Sequence, residues 1–599
     1  MNFEQLANEL LLDILEYLSA VDILRAFNQL NARFDTLLLT HYKTYHLNFR
    51  SVSKHDFRSF CQRDLPLIAS RIISLTLSDN IETPNSINSF LSYGITFFQL
   101  NALRSIKIYH LRSSIVMQQL LIECHHFPHL TRLDFTDCSF KTEFQSISNQ
   151  LNDLWKLPEL ISCHMDIDFH SEGSYAIHPS TISTSLQSLS IESYCYSCND
   201  LNNLLRHTPS LQYLHILLRD DSDDDLSREF PVTSLTTVKL SAYMSPMTLT
   251  TILKHIPKLR CLTVTTDEVN MNGHDWEEII VKYLPRLKQF HLKMIFRLED
   301  YDNKEQRVDD LLNSFRTQFW LGEHQWFVRC DWNCCEQCDK NNVYLYTLPY
   351  AFDFYSVHRA NIKSKSTRHV DNDDSSYDNV RTIGYEVIPT SDRILPFFRF
   401  KNLHYLDVHL PFDENLILIV PELERLISLQ VSTHRLDYEF DAQKQLQALL
   451  NRAPYLTSLT FKYWSLPWSE QKPPYDCFNK SIRQLGLQDI DQEYNSKECM
   501  QLCHSSIGKQ CQVLAIAVEN RHNILELIEG MSNLRTLNVV CRDDIWRMKN
   551  DENEISSSSN DELTDWLRQS LSSICTIIRH DELVRDSKQN CFQPIHLWF

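Results

Sequence analysis

Glycine is scarce, 8 in 599 residues. That argues against the glycine-rich loops whose backbone amides cradle phosphates, and so against a nucleotide-using enzyme. No stretch approaches the roughly 18 consecutive apolar residues that a membrane-spanning helix needs. Positive charge is in deficit: 58 Lys and Arg stand against 77 Asp and Glu, a formal net charge of -19. Nucleic acid and anionic membranes are held by clustered Lys and Arg, so neither is an expected partner. The first residues show no basic segment leading to a small-residue cleavage site, so no signal peptide is read there. The expected location is therefore intracellular, cytoplasmic or nuclear. In that setting the 18 cysteines read as reduced core thiols. Spaced metal ligands of the HExxH kind and paired nucleophile and base are missing too. The expectation is a non-enzyme without cofactor.

What the chain does have is a repeat. Hydrophobic content of 43% with 23% charged residues is ordinary for a globular protein. The length exceeds one compact core but suits stacked units. A unit Leu-x-x-Leu-x-Φ, with Φ apolar, runs from Ile72-Leu75-Leu77 through Leu130-Leu133-Phe135 and Leu211-Leu214-Ile216 to Leu287-Phe290-Leu292. It resumes at Leu403-Leu406-Val408 and ends at Leu534-Leu537-Val539. Fifteen units occur, first positions 23–31 residues apart inside each block, with a weak extra one at Leu47-Phe49. The Leu-x-Φ end reads as a short strand with alternate residues inward. The stretch between reads as a return helix, stopped by Pro209, Pro257, Pro285 and Pro454.

In period and pattern these units resemble leucine-rich repeats. Cys138 is the best match to the asparagine or cysteine that usually follows the strand. The resemblance implies an α/β solenoid with parallel strands on a concave face and helices on a convex one. The array would span 46–292 and 403–540. Outward strand residues would meet a protein target, and the candidates are Arg132, Tyr213, His215, Arg260, Lys288, His291, His404 and Tyr405.

Residues 1–45 differ from the rest. Leu6, Leu10, Ile14, Leu15 and Leu18 recur at helical spacing, with Asn8 a candidate cap. Ser19 and Asp22 open a second helix that carries Ile23, Leu24, Phe27 and Leu30. Phe34, Leu37 and Leu38 mark a third. Leu10, Leu11, Leu12, Ile14 and Leu15 cannot share one stripe, so a partner is expected to cover part of the first helix.

Leu6-Ala7, Glu9-Leu10, Ile14-Leu15, Leu18 and Asp22-Ile23-Leu24 resemble the F-box pattern. Ala7 departs from it where proline is usual. Leu30, Arg33 and Phe34 alone represent its later region. The resemblance covers about 40 residues. It implies a non-catalytic substrate receptor of an SCF-type ubiquitin ligase. Leu6, Leu10, Ile14, Leu15, Leu18, Ile23 and Leu24 would include the contacts to a Skp-type adaptor and, through it, a cullin. Some of these seven must instead hold the module together. The alternative is a leucine-rich-repeat scaffold unconnected with ubiquitin, its first helices a cap.

Residues 293–402 read as an insertion: a helix through Leu311, Leu312 and Phe315, two strands over 325–350, and a polar stretch 363–379 without apolar pattern. Cys330, Cys334, Cys335 and Cys338 raise the question of zinc. Cys330 falls in a strand and no second spaced pair follows, so no metal is expected. Cys195 and Cys198 read as two semi-buried thiols. Residues 541–599 hold a polar loop, a helix, a strand and an apolar end, and are expected to cap the array.

Overall fold

The computed structural model describes residues 3–93, 99–140, 145–169, 177–220, 234–267, 269, 271–297, 303–333, 342–358, 362–368, 376–386, 398–433, 440–462, 464, 472–474, 477–488, 492–544, 561–571, 575–579, 584–585 and 591–599. The chain divides into two compact units. One comprises Met1–Val269 and Glu278–Gln289, the other Asn270–Glu277 and Phe290–Phe599.

The first unit opens with α1 (Asn8–Leu15), α2 (Ala20–Phe27) and α3 (Ala32–Thr36), the last continuing into a wide turn, Leu37–His41. Asn8 is not the cap of α1, as the sequence suggested. That place falls to Ala7, which makes no side-chain cap bond. Asn8 instead accepts Arg33 Nε at 2.9 Å and Nη2 at 2.7 Å. The same guanidinium donates to the Glu4 and Leu6 carbonyls. Arg33 therefore fixes the entry into α1. Ser19 does cap α2, accepting from the Asp22 amide at 3.1 Å.

Nine parallel strands follow in this unit: β1 (Tyr45–Asn48), β2 (Ile72–Ser78), β3 (Ser105–Tyr109), β4 (Arg132–Phe140), β5 (Ser162–Phe169), β6 (Ser188–Tyr196), β7 (Tyr213–Arg219), β8 (Thr237–Tyr243) and β9 (Cys261–Asp267). Each pairs with the next in chain order. The second and third repeat positions stack in register: Leu75 pairs with Ile106, Ile106 with Leu133, Leu133 with Cys163. Those residues are buried, and the residue between them in each strand faces the other way.

Parallel pairing needs a crossover between strands. Helices Ser114–Cys124, Cys198–His207 and Pro246–Lys254 supply it. Ser113, Ser197 and Ser245 cap them through the amide three residues on. Pro209 and Pro257 follow two of these helices, where a proline cannot continue the turn. A helix in every return was expected. Between β5 and β6, residues 177–187 hold none.

In the second unit, β10 (Gln289–Arg297), β11 (Phe327–Asn333), β12 (Asn342–Leu348) and β14 (Ile362–Ser366) form an antiparallel group in the order β10-β12-β11-β14. A parallel sheet holds β13 (Phe354–His358), β15 (Thr382–Glu386), β16 (Tyr405–Leu410), β17 (Ser428–Thr433), β18 (Ser458–Phe461), β19 (Gln484–Leu487), β20 (Val513–Val518) and β21 (Thr536–Cys541). Beyond it lie β22 (Thr576–Arg579), the short pair β23 (Val584–Arg585) and β24 (Cys591–Phe592), and β25 (Ile595–Trp598). β25 runs antiparallel between β21 and β22, with Leu597 and Trp598 buried.

The single insertion read over 293–402 is corrected. Tyr355 and Val357 pair with Ile383 and Tyr385, which pair with Leu406 and Val408. Two repeats with aromatic residues in leucine places thus precede Leu403. The polar stretch 363–379 is corrected as well, because its start lies in β14 and Tyr377 is buried. Residues 369–375 within it lie outside the described residues. Cys330 is buried in β11, and burial holds its thiol well above the ordinary range. Cys334, Cys335 and Cys338, like the side chain of Cys195, lie outside the described residues. No cluster of three metal-ligating side chains occurs among the described residues.

Gly486 sits at the outward position of β19, opposite Thr460. A Cβ there would lie 2.8 Å from Thr460 Cγ2 and 2.9 Å from Oγ1. Gly486→Ala is expected to destabilise the protein by ~1–3 kcal/mol through overpacking. In a Thr460→Ala background most of that cost should vanish. Denaturation of the four variants measures the coupling.

Candidate functional site

Two surfaces of the first unit are candidates for contact. The earlier in the chain lies on α1. Leu11 and Leu15, four residues apart, turn inward and are buried. Leu11 packs with Phe34 and Leu37, flanked by Leu6, Leu12 and Phe27. Leu10 and Ile14, also four residues apart, lie on another side, and with Tyr17 in the turn that follows they are 51%, 38% and 91% exposed. Leu18, at 43%, extends that side.

The seven candidate adaptor residues therefore divide. Leu10, Ile14 and Leu18 face solvent and Leu6 is half-buried. Leu15, Ile23 and Leu24 are withdrawn as contacts, because each is wholly buried and holds the helices together. Tyr17 is an outward residue that the sequence reading missed. Its place seven residues after Leu10 was the available signal.

The helices are tied to the repeats that follow. Arg25 pairs with Asp56 at 2.9 Å, and Asn28 donates to the buried Asp64 carboxylate at 2.7 Å. The Tyr45 hydroxyl donates to the Leu38 carbonyl at 2.8 Å. The small core around Leu11 is too slight to stand alone, and these contacts supplement it.

The second surface is the outward column of the parallel strands. Thr76, Lys107, Asp134, His164, Ser190, His215, Lys239 and Thr263 stand side by side on successive strands, β2 to β9. Lys107 lies 3.6 Å from Asp134. Glu192, one outward position further along β6, lies 3.0 Å from His215 and 3.8 Å from His164. The Ser190 hydroxyl lies 3.1 Å from both Glu192 and His215. The hydroxyl and the carboxylate both approach His215 Nδ1. A nucleophilic triad needs them on opposite ring nitrogens, so this cluster is no proton relay.

The eight target candidates also divide. Arg132 and Tyr213 share the column that begins each strand, and both retain accessible surface. Arg260 and Lys288 are exposed one position earlier, on the turn into the strand. His215 is corrected: it is only 8% exposed and is engaged by Glu192 and Ser190. His164, Glu192 and Lys239 were missed, although each falls at an outward position that the repeat pattern marks. His291, His404 and Tyr405 belong to the second unit. Burial lowers the pKa of His291. Tyr405 donates to Gln430 at 2.9 Å, and Gln430 donates to Asp407 at 2.6 Å.

No family model matches the chain, and no curated protein matches it. Among solved structures, the mouse RP105/MD-1 complex aligns over 73% of this chain and 62% of that one, at 12% identity and a TM-score of 0.24. The TLR13–ssRNA13 complex aligns over 78% of this chain and 69% of that one, also at 12% and 0.24. The chain spans under two thirds of the first of these. Likeness at this level carries no conclusion about binding. The leucine-rich-repeat architecture rests on the strand register of the chain itself.

The His215 hydrogen bond is the largest cause holding the Glu192 carboxyl at about 2, below its ordinary 4.5. A depressed acid stabilises the fold above its unfolded value and loses that contribution as pH falls through the folded one. Glu192→Gln should therefore lower the melting temperature at neutral pH. The gap to the unmutated chain should narrow below pH 4.5 and close towards about 2. Melting curves across that range measure it.

Proposed function

We propose that this chain is the substrate-binding subunit of an SCF-type ubiquitin ligase. In this reading α1 and α2 dock on a Skp-type adaptor, which joins the chain to a cullin. The outward columns of the repeats hold a protein target. The chain performs no chemistry itself and uses no cofactor. It raises the effective concentration of the target beside a ubiquitin-charged enzyme. Such a ligase places the protein in the cytoplasm or nucleus.

The observation that carries the proposal is the pair of stripes on α1. One stripe, Leu11 and Leu15, satisfies the fold. The other, Leu10 and Ile14, continued by Tyr17 in the turn just after the helix, leaves large side chains in water, where nothing in the fold requires them. The outward columns, mixed in charge and rich in hydroxyl and imidazole groups, suit a protein surface.

A second reading also has an observation behind it. The ties from Arg25 and Asn28 to Asp56 and Asp64 are what an array needs to close its first strand. On that reading the chain is a protein-binding scaffold unconnected with ubiquitin. A cap explains those inward ties but gives no role to the outward stripe.

Co-expression of the full chain with a Skp-type adaptor separates the two. A stable complex is expected. Leu10→Asp and Ile14→Asp should each weaken it by about 2 kcal/mol or more, as truncation of a central interface residue does. Both positions are exposed, so melting temperatures should hold. Failure of the unmutated chain to bind, or a complex indifferent to both changes, would overturn the proposal.

A further inference from the structure

The second unit contains a cavity of about 320 Å³ where β13 meets the antiparallel group. Its walls are aromatic: Trp332, Tyr344, Tyr350 and Phe354. Its polar groups are few, and their bonding decides what the cavity can take.

Asp331 lies in the lining, but its carboxylate is already engaged. Tyr346 donates to Oδ2 at 2.5 Å and Tyr355 to the same oxygen at 2.8 Å. Ser364 donates to Oδ1 at 2.5 Å. Burial first, and then the adjacent carboxylate, hold both tyrosine pKa values well above normal, so these hydroxyls keep their protons. Three donors on one carboxylate leave Asp331 a structural anchor.

Lys293 is different. Its ammonium lines the cavity and makes no hydrogen bond or salt bridge among the described residues. It rests 5.8 Å from the centre of the Tyr350 ring and 5.5 Å from that of Phe352. Burial depresses its pKa, and Asp353 offsets this only in part. Lys293 is half-buried, and a cation partly withdrawn from water without a hydrogen-bonded anion carries a desolvation cost. It also occupies the ring faces that a second cation would need. The cavity is thus largely aromatic, disfavours a second cation beside Lys293, and holds one positive charge without a hydrogen-bonded anion.

We propose that this cavity binds a small organic carboxylate with an aromatic body, its rings among Trp332, Tyr344, Tyr350 and Phe354 and its carboxylate on Lys293. The volume falls at the small end of the usual range for such ligands, roughly 300–1,000 Å³. The proposal is independent of the adaptor reading, since no residue of α1 or α2 enters it.

Calorimetry with three matched compounds tests it: biphenyl-4-carboxylate, biphenyl-4-carboxamide and biphenyl-4-methanamine as its ammonium. The acid should bind at least about 10-fold more tightly than either of the others, the worth of one charged hydrogen bond. Lys293→Met should remove that preference while leaving the amide unchanged. Phe354 is exposed at the rim, so Phe354→Ala should keep its melting temperature and weaken all binding about 3-fold or more. No binding of the acid at millimolar concentration would overturn the proposal. So would equal binding of acid and amide, tightest binding of the ammonium, or an acid preference that survives Lys293→Met.

Discussion

No repeat of this chain can bury its own leucines. A strand of four to nine residues offers two or three apolar side chains on one face, and its return helix covers only part of them. The rest must be covered by the repeats on either side. Leu75, Ile106, Leu133 and Cys163 form one line because each is a wall for the next. A buried leucine contributes ~1.5–3 kcal/mol, so the register of each strand is fixed by its neighbours more than by its own sequence. That constraint places the outward residues too. Asp134, His164 and Ser190 stand together only because the leucines beside them do.

The N-terminal helices solve a different problem. They have little interior of their own, so polar contacts carry much of the positioning. Arg33 gathers the start of α1 through two carbonyls and Asn8. Asp64 and Asp56 hold α2 against the first repeats. With the inward stripe committed to the fold, the outward stripe of α1 stays exposed, and the proposed adaptor would cover it. The two halves of the proposed function thus rest on separate principles: register for the columns, an apolar surplus for the helix.

The strands were legible wherever leucine or a near equivalent kept the repeat spacing, and all fifteen sequence units coincide with strands. The repeats at Tyr355 and Ile383 escaped notice because tyrosine and valine fill leucine places and the preceding segment is aromatic. The antiparallel pairing of β11 with β14 was beyond local reading, since it joins residues 29 to 37 positions apart. Of the candidate sites, the α1 stripes could be counted but not assigned, because spacing gives two faces without saying which is inward. His215 looked like an outward contact by alternation, and it is outward. It is nonetheless engaged by Glu192 and Ser190 of the neighbouring strand, which spacing within one repeat does not show. The Lys293 cavity left no sequence signal, because its walls come from strands that periodicity does not bring together.

Between Phe327 and Glu386 the chain passes from the antiparallel group to the parallel sheet, back, and across again. Elsewhere a repeat contacts little beyond its neighbours, so a unit could be gained or lost with repair confined to one junction. Here the gain or loss of one strand would send each later strand of the segment to the wrong sheet. It would also part Tyr346 and Tyr355 from Asp331. A repeat could therefore be added or removed on either side of this segment with local repair, but not within it. The crossing segment is thus a stretch of the second unit whose strand number the fold itself holds constant.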